Sequence, residues 1–406
     1  MKNKFILICF IVSTAYANEL LFLDNLRRVV PLDEETYAML LSQATHKGKR
    51  SFAEYNGDLP LFAAYPSLKT NISYIPLGSF PTPIQRLTAL EKNYDIQNFF
   101  IKQDSISGGV NADGTQLFGG NKVRKLEFLL ADVLYHNAES VLTFGCIGSN
   151  HAVATATYAQ QCGLRCYCML NPQSDSAVVQ RNLALMHTAG AEMIFSANAV
   201  MRRENTIKAF FDSKKEYGDY PYFIPTGGSV ALGAVGFVNA AFELNKQIQE
   251  GLLPEPDYIY VAAGSFGTAA GLSLGLKAAG IQSQIIAVCV EPEDISGSVV
   301  QRINSLFVQT NQLLHDRDGT FPLFEGSADN VTVIHGFGGT CYGLSTPEAT
   351  DAIRDAQQHE SIVLEGTYTG KAFAVLIAHA KDGMFKKIKQ YCFGIPFVQM
   401  DCDLVN

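Results

Sequence analysis

Ten residues, Phe118-Gly119-Gly120-Asn121-Lys122-Val123-Arg124-Lys125-Leu126-Glu127, put a lysine directly after a Gly-Gly-Asn turn, at the mouth of a helix. Glycines let the backbone crowd a ligand. A lysine held in such a place is partly desolvated, which lowers its pKa from about 10.4 and frees its amine. A free amine is what Schiff-base chemistry requires. Taken alone, the same string also describes an ordinary basic helix start facing water.

Three more constellations carry chemistry. Val261 to Gly271 leaves an apolar strand through Gly264, Ser265, Phe266, Gly267 and Thr268 and enters a helix. Exposed N–H groups, hydroxyls and the positive helix end together offer an anion cradle there, though on its own such a turn equally serves tight packing, and no Gly-Lys-Ser/Thr follows to make it a P-loop. Gly145 to His151 is a second strand-to-helix turn, in which Ser149 or Asn150 can cap the helix and offer donors to a carboxylate. Tyr342 and Tyr368 sit among loop residues, where stacking or acid roles are open to them but so is plain surface exposure.

The elements that position these groups follow from hydrophobic periodicity. Val123, Leu126, Leu129, Leu130, Val133 and Leu134 recur at helical spacing, which predicts a helix over 122–136 with one packed face and one wet face. Strands are expected at 98–102, 140–144, 164–170, 192–195, 222–225, 258–262 and 284–290. Helices are expected at 150–162 and 176–189 and after Ser265. Strand-helix alternation predicts parallel sheets with helices on both faces, and two such sheets give two domains with a cleft between them.

At 406 residues the chain exceeds one ordinary core. Apolar residues at 47% and charged residues at 17% describe a globular protein, and a net charge of −8 argues against nucleic acid as a partner. Lys2 and Lys4, the uncharged stretch Phe5 to Ala17 and Ala15-Tyr16-Ala17 before Asn18 read as a cleaved secretory leader. Export to the periplasm or the exterior is therefore expected, with no membrane attachment after cleavage; the alternatives are an uncleaved anchor, or a buried N-terminal strand in a cytoplasmic protein. Residues 18–66 read as an added segment without visible chemistry. The nine cysteines show no paired CxxC and no nearby histidine pair, so no metal is expected. Cys166 and Cys168 lie in an apolar run that reads as a buried strand.

Taken in order, several stretches resemble the pyridoxal-phosphate (PLP) enzymes of fold type II, in the branch of D-cysteine desulfhydrase and 1-aminocyclopropane-1-carboxylate (ACC) deaminase. They are Pro81-Thr82-Pro83 with Arg86-Leu87, Phe118 to Asp132, Gly148-Ser149-Asn150-His151, Pro225 to Ser229 with Gly233 and Gly236, Gly264 to Gly271, and Tyr368-Thr369-Gly370-Lys371. The resemblance implies an α/β fold of two domains, each an open, mostly parallel sheet with helices on both faces and the cofactor between them. It implies a large PLP-binding domain from 67–121 and 246–406, a small domain from 122–245, and a homodimer.

It also implies roles. Lys122 would join the PLP aldehyde and, once displaced, remove the substrate's α-proton. Lys125 and the loop 264–268 would hold the phosphate, and Asn150 would meet the cofactor's 3′-oxygen. Ser149 with His151 would receive the carboxylate of a small amino-acid substrate. Tyr368 would lie against the pyridine ring and Tyr342 near the leaving group. ACC deaminases usually carry Glu where Thr369 stands, so the expected reaction is β-elimination from a small D-amino acid, D-cysteine foremost. The alternatives are ACC deamination and cofactor binding without turnover. One departure stands out: relatives commonly carry a His-Thr-Gly-Gly turn near the C-terminus, where this chain has Gln390 to Val398, read as a strand running into a Gly-Ile-Pro turn.

Overall fold

The computed structural model describes residues 59–111, 113–292 and 299–383, together with the backbone of Cys392–Gly394. The stretch read as a leader, the expected extension up to residue 58 and the tail beyond Gly394 lie outside the described residues.

Helix α1 (Pro60–Ala64) and the single turn α2 (Leu68–Asn71) lead to β1 (Ile84–Arg86), α3 (Thr88–Tyr94) and β2 (Phe99–Lys102). The lysine motif then opens α4 (Lys122–Tyr135). Strand and helix alternate from there through β3 (Ser140–Cys146), α5 (Asn150–Gln161), β4 (Arg165–Asn171), α6 (Ala177–Thr188), β5 (Glu192–Phe195), α7 (Ala199–Tyr217) and β6 (Tyr222–Ile224). The second half comprises α8 (Ala231–Gln249), β7 (Tyr258–Ala263), α9 (Gly267–Ala279), β8 (Gln284–Cys289) and α10 (Val299–Arg317). It ends with β9 (Val331–Ile334), α11 (Pro347–Glu360), α12 (Thr369–Lys381) and β10 (Cys392–Gly394).

These strands form two sheets, ordered β1-β2-β10-β7-β8-β9 and β5-β4-β3-β6. Every pairing is parallel except β1 with β2. Parallel strands are covered on both faces, so they read as continuous apolar runs. Strand β2 is buried throughout, and β4 is buried from Cys166 to Leu170. There the Cys166 and Cys168 thiols lie 3.7 Å apart as small packing groups. Strands β3 and β7 discharge at their carboxyl ends into the Ser149 turn and the 264–268 loop, the place where open α/β sheets bind ligands.

Three features differ from the sequence expectation or add to it. Helix α4 has no wet face: Arg124, Lys125 and Glu127 are as buried as Leu126 and Phe128. The helix lies between neighbours on every side, and its polar groups find partners inside the protein. Helix α7 gave no apolar period because only Ala209, Phe210 and Ser213 of its nineteen residues are buried; its start is marked instead by Asn198, whose side chain accepts from Met201 N. Residues 59–62, within the expected extension, dock into the core of the six-stranded sheet: Leu59, Leu61 and Phe62 are buried, and Leu61 N donates to Asn239 Oδ1 at 3.1 Å. Burying three such large apolar side chains contributes about 4.5–9 kcal/mol. The same core holds most of the apolar face of α8, up to Leu244, although the sequence placed residues through 245 in the smaller domain.

The backbone of β10 enters between β2 and β7, with Phe393 opposite Phe100 and Ile259. The strand expected before the Gly-Ile-Pro turn is therefore present; the turn itself lies outside the described residues.

Candidate active site

Lys122 is the first residue of α4. It is half-buried, and desolvation lowers its amine from 10.5 to about 8. Beside it, Asn121 Nδ2 donates to Thr268 Oγ1 at 3.0 Å, so the N-termini of α4 and α9 are tied together and their positive ends converge. Asn121 Oδ1 is buried with no hydrogen-bond partner among the described residues.

One turn along the helix, the buried Lys125 Nζ donates to Gly227 O and Ser229 Oγ, each at 3.0 Å. Burial lowers its pKa well below the lysine range, and the Lys122 charge adds to this. Ser229 Oγ donates to Ser265 Oγ at 2.8 Å and accepts from Gly267 N at 3.2 Å. Gly228, at φ 59, makes the turn, and Gly267 leaves the space: a Cβ there would stand 2.8 Å from Lys125 Nζ and 2.7 Å from Ser229 Oγ. Phe266 adopts a positive φ of 66 between them, its ring buried under the Arg302 guanidinium at 4.7 Å. An amine, hydroxyls and a helix N-terminus thus meet at one point, which suits a phosphate.

At the second turn, Ser149 caps α5: its Oγ accepts from Ala152 N at 3.2 Å. Only a lone pair is used, so its O–H stays available to donate. Asn150 Oδ1 accepts from Asn182 Nδ2 at 2.9 Å. His151 is buried, with Nε2 3.0 Å from Thr143 Oγ1. Thr143 spends its proton on Ile224 O at 2.9 Å, so the Nε2 proton points to Thr143. Desolvation, then the Lys122 and Lys125 charges, hold this imidazole neutral. Of the three side chains, Ser149 and Asn150 keep donors for a ligand, and the His151 ring does not.

On the opposite wall Tyr342 and Tyr368 share a hydrogen bond between their hydroxyls, their rings edge to face with centroids 6.2 Å apart. Burial raises both pKa values, so both are neutral phenols at ordinary pH. Tyr368 packs beside Gly264, whose Cβ would come within 3.5 Å of its ring. Thr369, buried, turns its hydroxyl to its own loop: Oγ1 accepts from Glu365 N at 2.7 Å and donates to Glu365 O at 3.2 Å.

Close approaches link several of these groups: a Cβ on Gly228 would stand 3.4 Å from the His151 ring and 3.6 Å from Lys125 Cδ, and Tyr368 lies beside Gly264 in the 264–268 loop, whereas the buried Thr369 spends its hydroxyl on Glu365. The sequence reading did not single out several neighbours. The Glu365 carboxylate accepts from the N–H groups of Thr367, Tyr368 and Thr369 at 2.7–2.8 Å, which fixes the Tyr368 turn at the start of α12. The Gln173 amide stands between Gly148 and Gly343, one residue from Ser149 and one from Tyr342. Ser229, quoted only within a motif, is the centre of the anion cradle.

Residues 75–396 match the family described as pyridoxal-phosphate dependent enzyme. The chain belongs to this family. It is 32% identical over 323 residues to a D-cysteine desulfhydrase from Klebsiella pneumoniae (strain 342), covering 78% of this chain and 90% of that protein. A crystal structure of an ACC deaminase homologue superposes with a TM-score of 0.69 at 28% identity, covering 84% of this chain and 95% of that one. A serine racemase from Dictyostelium discoideum, at 17% identity and a TM-score of 0.53 over 85% of this chain and 98% of that one, shares the fold alone. The architecture is that of PLP fold type II, and PLP is the family's cofactor. The residues present fit it. Lys122 offers the low-pKa amine, Lys125, Ser229 and the Gly267 N–H offer the phosphate cradle, and the orphaned Asn121 Oδ1 marks a polar position that the protein leaves unfilled.

Proposed function

We propose that this PLP-dependent enzyme is a lyase that removes the β-substituent of a small D-amino acid, D-cysteine foremost, releasing hydrogen sulfide, pyruvate and ammonia. The observation that carries the reading is the Lys122 amine, drawn to about 8 at the mouth of α4 beside the Lys125–Ser229 cradle. Likeness to the Klebsiella desulfhydrase supports the choice of substrate. When bound, PLP supplies the electron sink.

The chain's own groups do the rest. Lys125 Nζ, Ser229 Oγ and the Gly267 N–H would hold the phosphate, and Asn150 the 3′-oxygen. The Ser149 hydroxyl, with the N-terminus of α5 behind it, orients the substrate carboxylate. Lys122 Nζ, with far more free base near neutral pH than an ordinary lysine, takes the α-proton. A neutral phenol of the tyrosine pair, Tyr342 nearest the solvent-facing loop, gives a proton to the departing sulfur. Sulfide leaves, and the released enamine takes up water to give pyruvate and ammonia. Thr369 puts a neutral group after Tyr368, which suits β-elimination better than opening a cyclopropane.

The test is to incubate the purified holoenzyme with D-cysteine, L-cysteine and ACC. Sulfide and pyruvate in equal amounts from D-cysteine are expected. 2-Oxobutyrate from ACC would move the reading to a deaminase; no product from any of the three, with the cofactor still bound, would leave a PLP-binding relative without turnover. Export with cleavage after Ala17 and a homodimer belong to the same proposal, and N-terminal mass and sedimentation test them.

A further inference from the structure

Asn182 is fully buried on α6, and each of its polar atoms is committed. Its Nδ2 donates to Gly148 O at 2.8 Å and to Asn150 Oδ1 at 2.9 Å. Its Oδ1 accepts from Arg181 Nε at 3.2 Å and Arg181 Nη2 at 2.9 Å. An amide can be turned end for end only if its partners tolerate it, and here neither does. Gly148 O accepts and cannot donate; the Arg181 guanidinium donates and cannot accept. Turning the Asn182 amide would set oxygen against oxygen at Gly148 and two donors against each other at Arg181.

With Asn182 fixed, Asn150 is fixed as well. Only its oxygen can meet the Asn182 NH2, so its own NH2 faces away from α6. We propose that Asn182, backed by Arg181, is a positioning residue that makes Asn150 present a donor and not an acceptor to the cofactor's 3′-oxygen. The bond from Asn182 to Gly148 O holds the Ser149 turn at the same time, so one buried amide sets both the cofactor-facing and the carboxylate-facing groups of α5. This inference rests on the reading of Asn150 as a cofactor contact.

A donor at the 3′-oxygen makes that oxygen less basic and lowers the pH at which the bound cofactor's visible band changes. The experiment is a pH titration of that band in the purified holoenzyme, without substrate, for the wild type, Asn150→Ala, Asn182→Asp and Asn182→Ala. The carboxylate introduced by Asn182→Asp only accepts, so it draws the Asn150 NH2 toward itself and leaves an oxygen facing the cofactor; it gains a charge pair with Arg181 and loses the bond to Gly148 O, a cost that the melts record. Expected is an upward shift of the midpoint by about one unit in Asn150→Ala and at least as much in Asn182→Asp, with a smaller shift in Asn182→Ala, where the Asn150 amide is free to turn either way. A wild-type midpoint in Asn182→Asp, with Asn150→Ala shifted, would overturn the inference and leave the Asn150 reading standing. No shift in Asn150→Ala would overturn the Asn150 reading, and the inference with it. Circular dichroism melts accompany each variant, since a merely structural role for Asn182 would lower the melting point without moving the midpoint.

Discussion

Arg124 and Lys125 are neighbours on α4, both buried, and they meet opposite surroundings. Arg124 donates to both oxygens of Asp104 at 2.8 and 2.9 Å and to both of Glu243 at 3.0 Å. It also donates to Thr82 Oγ1 at 3.0 Å and lies 4.3 Å over the Phe80 ring. Burial pulls its pKa down, and the two carboxylates more than reverse that, so it stays charged. Glu243, which burial alone would raise, is held at about 2 by Arg124 and Lys102. This cluster is complete: Lys102 and Arg124 offset Asp104 and Glu243, and nothing is left for a ligand to satisfy. Among the described residues Lys125 meets a carbonyl, a hydroxyl and, at 5.9 Å, the Phe237 ring but no carboxylate, and Lys122 shifts through desolvation alone. Both amines await an anion or a carbonyl from outside. Burial by itself therefore does not mark a site; burial without a counter-charge does.

Substitutions on the two sides of this divide should fail in different ways. On the open side, Lys122→Ala is expected to lose about a thousandfold or more of sulfide release. It should also lose the cofactor's visible band, while the melt of the apoprotein stays at or above that of the wild type. On the closed side, Arg124→Met leaves Asp104 and Glu243 facing each other without the guanidinium between them. The expected loss is about 3–5 kcal/mol of stability, read from the urea midpoint. An equally stable Arg124→Met protein would erase the difference between the two cations.

Lys125→Met sharpens the comparison, because it removes a buried cation whose partner is the ligand. Apoprotein stability should hold or rise, since a desolvated amine is replaced by an apolar chain of similar length. The affinity for PLP should fall by about 1.5–3 kcal/mol, the worth of a hydrogen bond to a charged group, or roughly ten- to a hundredfold. Fluorescence titration of apoprotein with PLP measures it. A loss of stability without loss of affinity would place Lys125 with Arg124 as a structural cation.

The divide was half legible in the sequence. The Gly-Gly-Asn-Lys string, the strand-to-helix turn at Ser149 and the Gly264 to Thr268 loop announce themselves because each is local: glycines, caps and apolar runs within ten residues. The complementary half is not local. Arg124 meets Glu243 across 119 positions and Lys125 meets Ser229 across 104, so the same Lys-Val-Arg-Lys string reads as a wet face until the partners are known. The same distance hides Asn182, 32 residues from Asn150 and without a motif of its own. Glu365 is hidden for a different reason: it sits three residues before the N-cap Tyr368, outside the usual cap position, and only the folded loop brings its carboxylate to the N–H groups of Thr367, Tyr368 and Thr369.

A last and smaller effect follows from proton linkage in the apoprotein. Folding holds the Lys122 amine near 8, whereas the unfolded chain returns it to about 10.5. Between those values the unfolded state binds more protons, so stability rises with pH across that window; below about 8 both states are protonated and the full cost of the buried charge is present. Lys125, also lowered, acts with the same sign. Glu127, raised to about 7 by burial, acts with the opposite sign but at lower pH: stability falls as pH rises from the ordinary carboxylate range to about 7. Half-buried thiols such as Cys162, raised to about 11, oppose the lysines near pH 9, so the raw slope of the wild type is not the quantity to read. The difference between the wild type and Lys122→Met Lys125→Met cancels every group the two share. That difference in apoprotein melting temperature should shrink steadily from pH 7.5 to 9.5, because the variant never carried the buried charges that the wild type is shedding. A difference that stays flat over this range would mean the two amines are already paired, and the contrast with Arg124 would have no electrostatic basis.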